Sequence, residues 1–427
     1  VALTYSTCAL LANGRVYCRG YNGDRTLGLG EQNQTRSIDG WRRPRGLGDA
    51  VQIDGGRDWM CARHADGQVS CWGGGNYSRS GSGDNIMYQP QLMPAIEDAQ
   101  NLVLGTHSAC YVNSLRQVHC WGRNRYGELG DGTTDQRRSP VRVTGLDNVV
   151  AIDIEGYHAC AVDQAGLVWC WGNSNNRRMG SDSHSGNQLQ PLQVPGVAGA
   201  IDVDVSGYGA CARLGDGTMT CWGTNWNGQT GLPSSSPHDP TVLPDMTQVT
   251  EVVLENISGC AIAGENAQVS CWGVNHYGQT GDPSTKQTDT GPRALDGVTG
   301  AIGLTLGVFH GCAWTAQGRR FCWGANSFGQ LGTGGAAALA IREPLKVEGQ
   351  ENILQISAGA SHMCSLDQQG VPRCWGANGY GQLGDGTTQA SNQPQVVSSL
   401  GTVRQITAGR DFSCAVEMDG TGKCWGF

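Results

Sequence analysis

Residues 353–394 read ILQISAGASHMCSLDQQGVPRCWGANGYGQLGDGTTQASNQP, and much the same order recurs along the whole 427-residue chain. An alternating apolar run, Ile353-Leu354-Gln355-Ile356, comes first and Gly359 follows it. Cys364, a short apolar stretch, a turn and Cys374-Trp375-Gly376 come next, then a glycine-rich loop and Pro394. Period-two alternation interrupted by turn residues is the pattern of short β-strands, not of helices. The Cys-Trp-Gly tripeptide starts at Cys71, Cys120, Cys170, Cys221, Cys271, Cys322, Cys374 and Cys424, and Cys18-Arg19-Gly20 is a degenerate first copy. Successive copies lie 49 to 53 residues apart, the length of a four-stranded propeller blade with its turns.

The other copies fill in the blade. Val149-Val150-Ala151-Ile152-Asp153-Ile154 repeats the first strand, and Gly156, Gly207 and Gly409 repeat the glycine after it. Asn13-Gly14, Asp66-Gly67, Asp216-Gly217 and Asp419-Gly420 are hairpin-turn pairs between the two cysteines of their copies. Pro44, Pro90, Pro140, Pro191, Pro240, Pro292, Pro344 and Pro394 are expected to open a last, outermost strand, since proline cannot donate to a ladder and belongs on an edge. The expectation is an all-β propeller with blades of about 50 residues, nine by hairpin count. Seven or eight closed blades with an extra or shared repeat is the alternative. Residues 1–427 read as one repeat domain with hairpin cores at 8–18, 61–71, 110–120, 160–170, 211–221, 260–271, 312–322, 364–374 and 414–424. Only Val1 to Leu3 remain of a first innermost strand, and eight proline-marked outer strands lie between nine hairpins. A segment before Val1 or a neighbouring molecule is therefore expected to complete the last blade.

The 18 cysteines fall into nine pairs: Cys8 with Cys18, Cys61 with Cys71, Cys110 with Cys120, Cys160 with Cys170, Cys211 with Cys221, Cys260 with Cys271, Cys312 with Cys322, Cys364 with Cys374, and Cys414 with Cys424. Residues placed symmetrically about a hairpin turn face each other within disulfide reach. Zinc binding, free buried thiols and structural disulfides compete here. Zinc knuckles need much shorter spacings than ten residues. Disulfides fit best, because every copy holds its own partner, and they place the protein in an oxidising setting: secreted, cell-surface or periplasmic.

Composition narrows the function. The 66 glycines without a collagen period, with 13 tryptophans and only 15% charged residues, describe a chain dense in tight turns. A net charge of −8 argues against a nucleic-acid partner, which needs a Lys/Arg footprint. No apolar run is long enough to span a membrane. Val1 opens directly into repeat-like sequence, so a targeting segment, if one existed, is absent from this chain.

The loop Asn-x-x-Gly-Gln-Leu-Gly at Asn326–Gly332 and Asn378–Gly384, and Gly-x-x-His at Gly359–His362, resemble the regulator-of-chromosome-condensation (alpha-tubulin-suppressor-like) repeat family. The resemblance covers nearly the whole chain and points to a secreted, disulfide-containing variant. It implies a propeller, typically of seven blades, and a binding function. A plant light receptor of that family uses clustered tryptophans, and Gly40-Trp41-Arg42-Arg43 is slightly similar to its motif. One tryptophan per blade is better read as packing. A secreted β-lactamase-inhibiting member engages its partner through one loop-lined face. Nucleotide exchange on a small GTPase suits an acidic, cysteine-rich chain poorly.

Candidate chemistry is sparse. His158, His310 and His362, each two residues before a first cysteine, are expected to fix inner loops by hydrogen bonds. Asp131, Asp282 and Asp385 sit in loops with too few carboxylates for calcium and read as turn formers. No Ser/His/Asp set assembles, so neither metal, cofactor nor catalytic residues are expected. Asn33-Gln34-Thr35, Asn76-Tyr77-Ser78 and Asn256-Ile257-Ser258 are glycosylation sequons. The turns after the innermost strands vary from copy to copy: Arg57-Asp58-Trp59, Tyr157-His158, Tyr208, Phe309-His310 and Arg410-Asp411-Phe412. Variable aromatic and arginine residues in an otherwise repetitive chain suit a binding hot spot. The reading is a non-enzymatic extracellular scaffold presenting one face to a protein or cell-surface glycan. Self-assembly into a fibre or surface layer through unpaired terminal strands is second, and a propeller enzyme third.

Overall fold

The computed structural model describes residues 6–11, 13–31, 36–74, 86–93, 95–181, 186–207, 209–232, 236–243, 245–255, 258–284, 286–335, 338–347 and 352–426. They form an all-β, nine-bladed β-propeller of antiparallel sheets, seven sheets having four strands and two having three. Blade 4 is typical: Val149–Glu155 is innermost, followed outward by His158–Asp163, Val168–Gly172 and Gln188–Gln193. Blade 1 comprises Ser6–Leu10, Val16–Tyr21 and Ser37–Arg42, and the Val1–Leu3 strand expected from sequence lies outside the described residues. Blade 9 comprises Val403–Ala408, Phe412–Glu417 and Gly422–Gly426. The chain divides into two compact units, residues 1–215, 220–224 and 237–241 in the first, and 216–219, 225–236 and 242–427 in the second.

The Cys-Trp-Gly tripeptide does three jobs at one spot. The cysteine pairs directly across the hairpin, as at Cys160↔Cys170, and nine such disulfides form, each with Cα atoms 4.0–4.1 Å apart. The tryptophan occupies a bulge, for Cys170 pairs with Leu192 and Gly172 with Gln188, leaving Trp171 opposite three residues, 189–191. The glycine closes the bulge at positive φ, 106° at Gly172, where a Cβ would also lie 2.5 Å from the Tyr157 carbonyl oxygen. Proline does not open the outer strand, contrary to the sequence expectation. Pro191 lies inside Gln188–Gln193, as Pro140 does in Arg137–Arg142, while Pro44 falls outside its strand. The wide bulge explains this: its three outer residues make no ladder pair there, so a missing N–H costs nothing.

Neighbouring blades are joined by the same residues. Trp72, Trp171 and Trp222 are fully buried, and each indole N–H donates to a loop carbonyl of the preceding blade: Thr26 at 2.9 Å, Glu128 at 2.8 Å and Arg178 at 2.9 Å. In the second unit Trp323 and Trp375 do the same to Gln279 at 2.9 Å and Gln330 at 2.8 Å. The final glycine of the Gly-Gln-Leu-Gly loop lets that loop rest on the indole; a Cβ on Gly332 would sit 2.8 Å from the Trp375 ring nitrogen. Innermost strands are sheet edges, and polar side chains from the preceding blade satisfy their outward N–H groups. Asp54 accepts from the Leu104 N–H at 2.8 Å and Asp153 from Val205 at 2.7 Å; Ser357 accepts from Ala408 at 2.9 Å.

Candidate functional site

Because strands alternate in direction, two connections share one end of each blade: the turn after the innermost strand and the loop after the third. The turn is decided by its spacing from the cysteine. Two residues before the first cysteine the side chain shares the inward face of the strand, and Trp59, Ser108, His158, Ser258, His310, His362 and Phe412 are all buried there. Trp59, His158, His310 and Phe412 therefore do not form the exposed hot spot expected from sequence. They pack between blades instead, as Trp59 does edge-on against Trp121 at 6.4 Å. One residue earlier the chain points outward, and Tyr157 and Phe309 are 38% and 36% exposed. Arg57 is exposed, Asp58 half-buried, and exposed Arg410 pairs with Asp411 at 3.5 Å. Tyr208 lies outside the described residues, as do Asn33, Asn76 and Asn256 of the sequons.

Tyr157 does not stand alone. Tyr126, from the loop of blade 3, meets it edge-on at 5.3 Å, and the Arg123 guanidinium lies 4.8 Å from the Tyr157 ring and 5.2 Å from that of Tyr126. Arg125 is exposed and stacks on Tyr126 at 5.6 Å. Buried Glu128 anchors the group, facing Arg123 at 3.5 Å and accepting the Tyr126 N–H at 2.7 Å. Burial pushes the Glu128 carboxyl up, against the lowering effect of that hydrogen bond and of Arg123. Sequence reading missed Arg123, Arg125 and Tyr126, because it treated the Asn-x-x-Gly loop only as a mark of the repeat. The signal was present: the second x is aromatic in several copies, with Tyr126, Tyr277, Phe328 and Tyr380 at that position.

The three histidines are buried, and contrary to the sequence expectation the ring nitrogens of His158 and His310 make no hydrogen bond of normal geometry among the described residues. His362 Nε2 meets Ser413 Oγ at 2.8 Å. Burial pushes His158 down to about 3, with Arg178 adding to it, His310 to about 4, and His362 to about 3. They are neutral packing groups at physiological pH.

The aspartate loops are turns. Asp131 Oδ1 accepts the Thr133 N–H at 3.0 Å and the Asn124 amide at 3.1 Å, while Arg137 takes Oδ2 at 2.9 Å. Asp385 repeats the turn with Asn378 at 3.2 Å and Thr387 at 2.9 Å, and Asp282 Oδ1 accepts from the Ser284 N–H at 2.9 Å. Among the described residues no group of three His, Cys, Asp or Glu is arranged to hold a metal ion. One cleft of about 430 Å³ contains a Ser–His pair: Ser70 Oγ lies 2.8 Å from His64 Nε2, and His64 Nδ1 lies 2.8 Å from the Asp49 carbonyl oxygen. The equivalent positions of other hairpins hold Asp163–Trp169 at 2.9 Å, Asp367–Arg373 at 2.7 Å and Glu417–Lys423 at 3.0 Å. The pair is thus one version of a tie across the turn.

Blades stapled by their own disulfides and interlocked by bulged tryptophans define a repeat-built β-propeller. Residues 117–162, 317–366 and 374–416 match the Regulator of chromosome condensation (RCC1) repeat, and residues 353–382 match a second form of it. In those stretches, which make up less than half of its length, the chain carries sequence similar to RCC1 repeats. Its curated relatives include the human E3 ubiquitin-protein ligase HERC2, 25% identical over 80% of this chain but only 6% of the ligase, and the Arabidopsis thaliana Ultraviolet-B receptor UVR8, 25% identical over 60% of each. This chain therefore spans less than two thirds of either relative. Among solved structures, Prp20p from Saccharomyces cerevisiae has a TM-score of 0.59 at 17% identity, covering 99% of this chain and 93% of that one. Human WBSCR16 has a TM-score of 0.56 at 17% identity, covering 93% and 97%. Propellers of this type are generally protein-binding scaffolds and usually non-catalytic.

Proposed function

We propose that this chain is an exported, non-enzymatic scaffold that captures a protein through the loop end of its blades. The Arg123–Tyr126–Tyr157 cluster carries the reading. Tyrosine and arginine are the residues that dominate binding energetics, and here they are held in place before a partner arrives. Nine disulfides support an oxidising compartment, extracellular or periplasmic. Among the described residues no helix is long and apolar enough to cross a membrane. Prp20p, of the same fold, is described with its binding properties to Gsp1p and histones, which supports protein capture without transferring those partners. The test is cross-linking in the native extracellular fraction with the parent, R125A and Y126A. A captured protein should lose about tenfold or more in yield with either variant, and undiminished capture by both contradicts the reading.

A further inference from the structure

In the second unit the loops after the third strands differ in chemistry from those of the first. Residues 225–231 (NWNGQTG), 275–281 (NHYGQTG), 326–332 (NSFGQLG) and 378–384 (NGYGQLG) contain no Lys, Arg, Asp or Glu. The loops of the first unit carry Arg25, Arg125, Arg177, Arg178, Asp24 and Glu128. Each second-unit loop instead exposes one aromatic ring: Trp226 is 58% exposed, Tyr277 44%, Phe328 51% and Tyr380 56%. The rings stand on fixed backbone. Buried Gln279, Gln330 and Gln382 accept the N–H of Tyr277 at 2.9 Å, Phe328 at 3.0 Å and Tyr380 at 2.9 Å. Arg342, from the next blade, grips the carbonyls of Asn275 at 3.1 Å and His276 at 2.9 Å, and Phe309 backs Tyr277 at 5.0 Å.

We propose that these loop-borne rings, one per blade, form a binding site for a neutral polysaccharide. A pyranose presents weakly electropositive C–H bonds on its face and hydroxyls around its rim. It is matched by an electron-rich aromatic face with uncharged polar groups beside it, which exposed Asn227 and Ser327 supply. Each ring is flanked in its own loop by glycine or polar residues, which supply hydrogen-bonding groups for sugar hydroxyls. One ring per blade, repeated, suits a polymer whose own unit repeats. The absence of ionic side chains in these loops disfavours an acidic polysaccharide. The site is distinct from the arginine–tyrosine cluster of the first unit, which does not depend on it.

The test is affinity electrophoresis of the full chain through native gels containing hydroxyethylcellulose, galactomannan or soluble starch. At least one gel should retard the parent, insensitively to salt. Y277A, F328A and Y380A should each weaken retardation about tenfold, the triple variant should abolish it, and Y380F should retain it. R125A should migrate like the parent, which keeps failure here separate from failure of protein capture. Unchanged melting temperatures, expected for exposed positions, exclude misfolding as the cause. The proposal is overturned if none of the three gels retards the parent, if the triple variant is retarded as strongly as the parent, or if retention occurs only on polygalacturonate and vanishes with salt.

Discussion

Gly359 occupies a place where the innermost turns of adjoining blades touch. A Cβ there would stand 2.3 Å from the Gly409 carbonyl oxygen and 2.4 Å from the His362 ring. Backbone cannot yield as a flexible side chain does, so G359A should cost about 2–3 kcal/mol in chemical denaturation; a change under about 0.5 kcal/mol contradicts this contact. His362 gives a pH-dependent counterpart. Folded, it resists protonation down to about 3, while the unfolded chain accepts that proton below about pH 6.5. Stability is thus untouched above that pH and declines as pH falls through the interval, by roughly 2 kcal/mol at pH 5 from this residue. Asp153, pushed up to about 6 by burial, works in the opposite sense, since its folded form keeps a proton that the unfolded chain releases above about pH 4. The comparison must therefore be between variants. H362Q should lose less stability than the parent between pH 7 and 5, and parallel pH profiles would refute the assignment.

At the level of elements, each blade depends on a stapled hairpin and a bulged tryptophan. Closing an eleven-residue loop by a disulfide is worth about 2.7 kcal/mol in the chain-entropy picture, so replacing Cys160 and Cys170 together by alanine should lower unfolding free energy by about 2–3 kcal/mol with β circular dichroism intact. W171F keeps an aromatic ring but strands the Glu128 carbonyl that the indole satisfies, and should cost about 1–3 kcal/mol. Strand order, hairpin pairing and blade length were all legible in the sequence, because turn chemistry and cysteine spacing repeat. What was not legible came from contacts between blades. Trp59 and Tyr157 look alike as aromatic turn residues, yet a shift of one position relative to the cysteine buries the first and exposes the second. The proline-marked outer strand was misplaced for a related reason, since only the three-residue bulge opposite the tryptophan shows why proline is tolerated in mid-strand. The Tyr126 and Tyr277 rings were overlooked because their exposure depends on the buried Glu128 and Gln279 that hold the loop.

At the scale of the whole molecule, 18 cysteines and no free thiol among them describe a protein built for oxidising surroundings. A glycine-rich chain with 15% charged residues has modest apolar area per blade, and covalent links limit the unfolded ensemble where burial alone is thin. The proposals of export and of a scaffold function, and the integrity of both proposed sites, rest on those links being formed, and formed locally. The decisive measurement is peptide mapping by mass spectrometry after alkylation under denaturing, non-reducing conditions. The account predicts no alkylated cysteine and nine linked peptides, each joining the two cysteines of one hairpin, from Cys8–Cys18 through Cys414–Cys424. Eighteen alkylated cysteines, or links joining different blades, would contradict it.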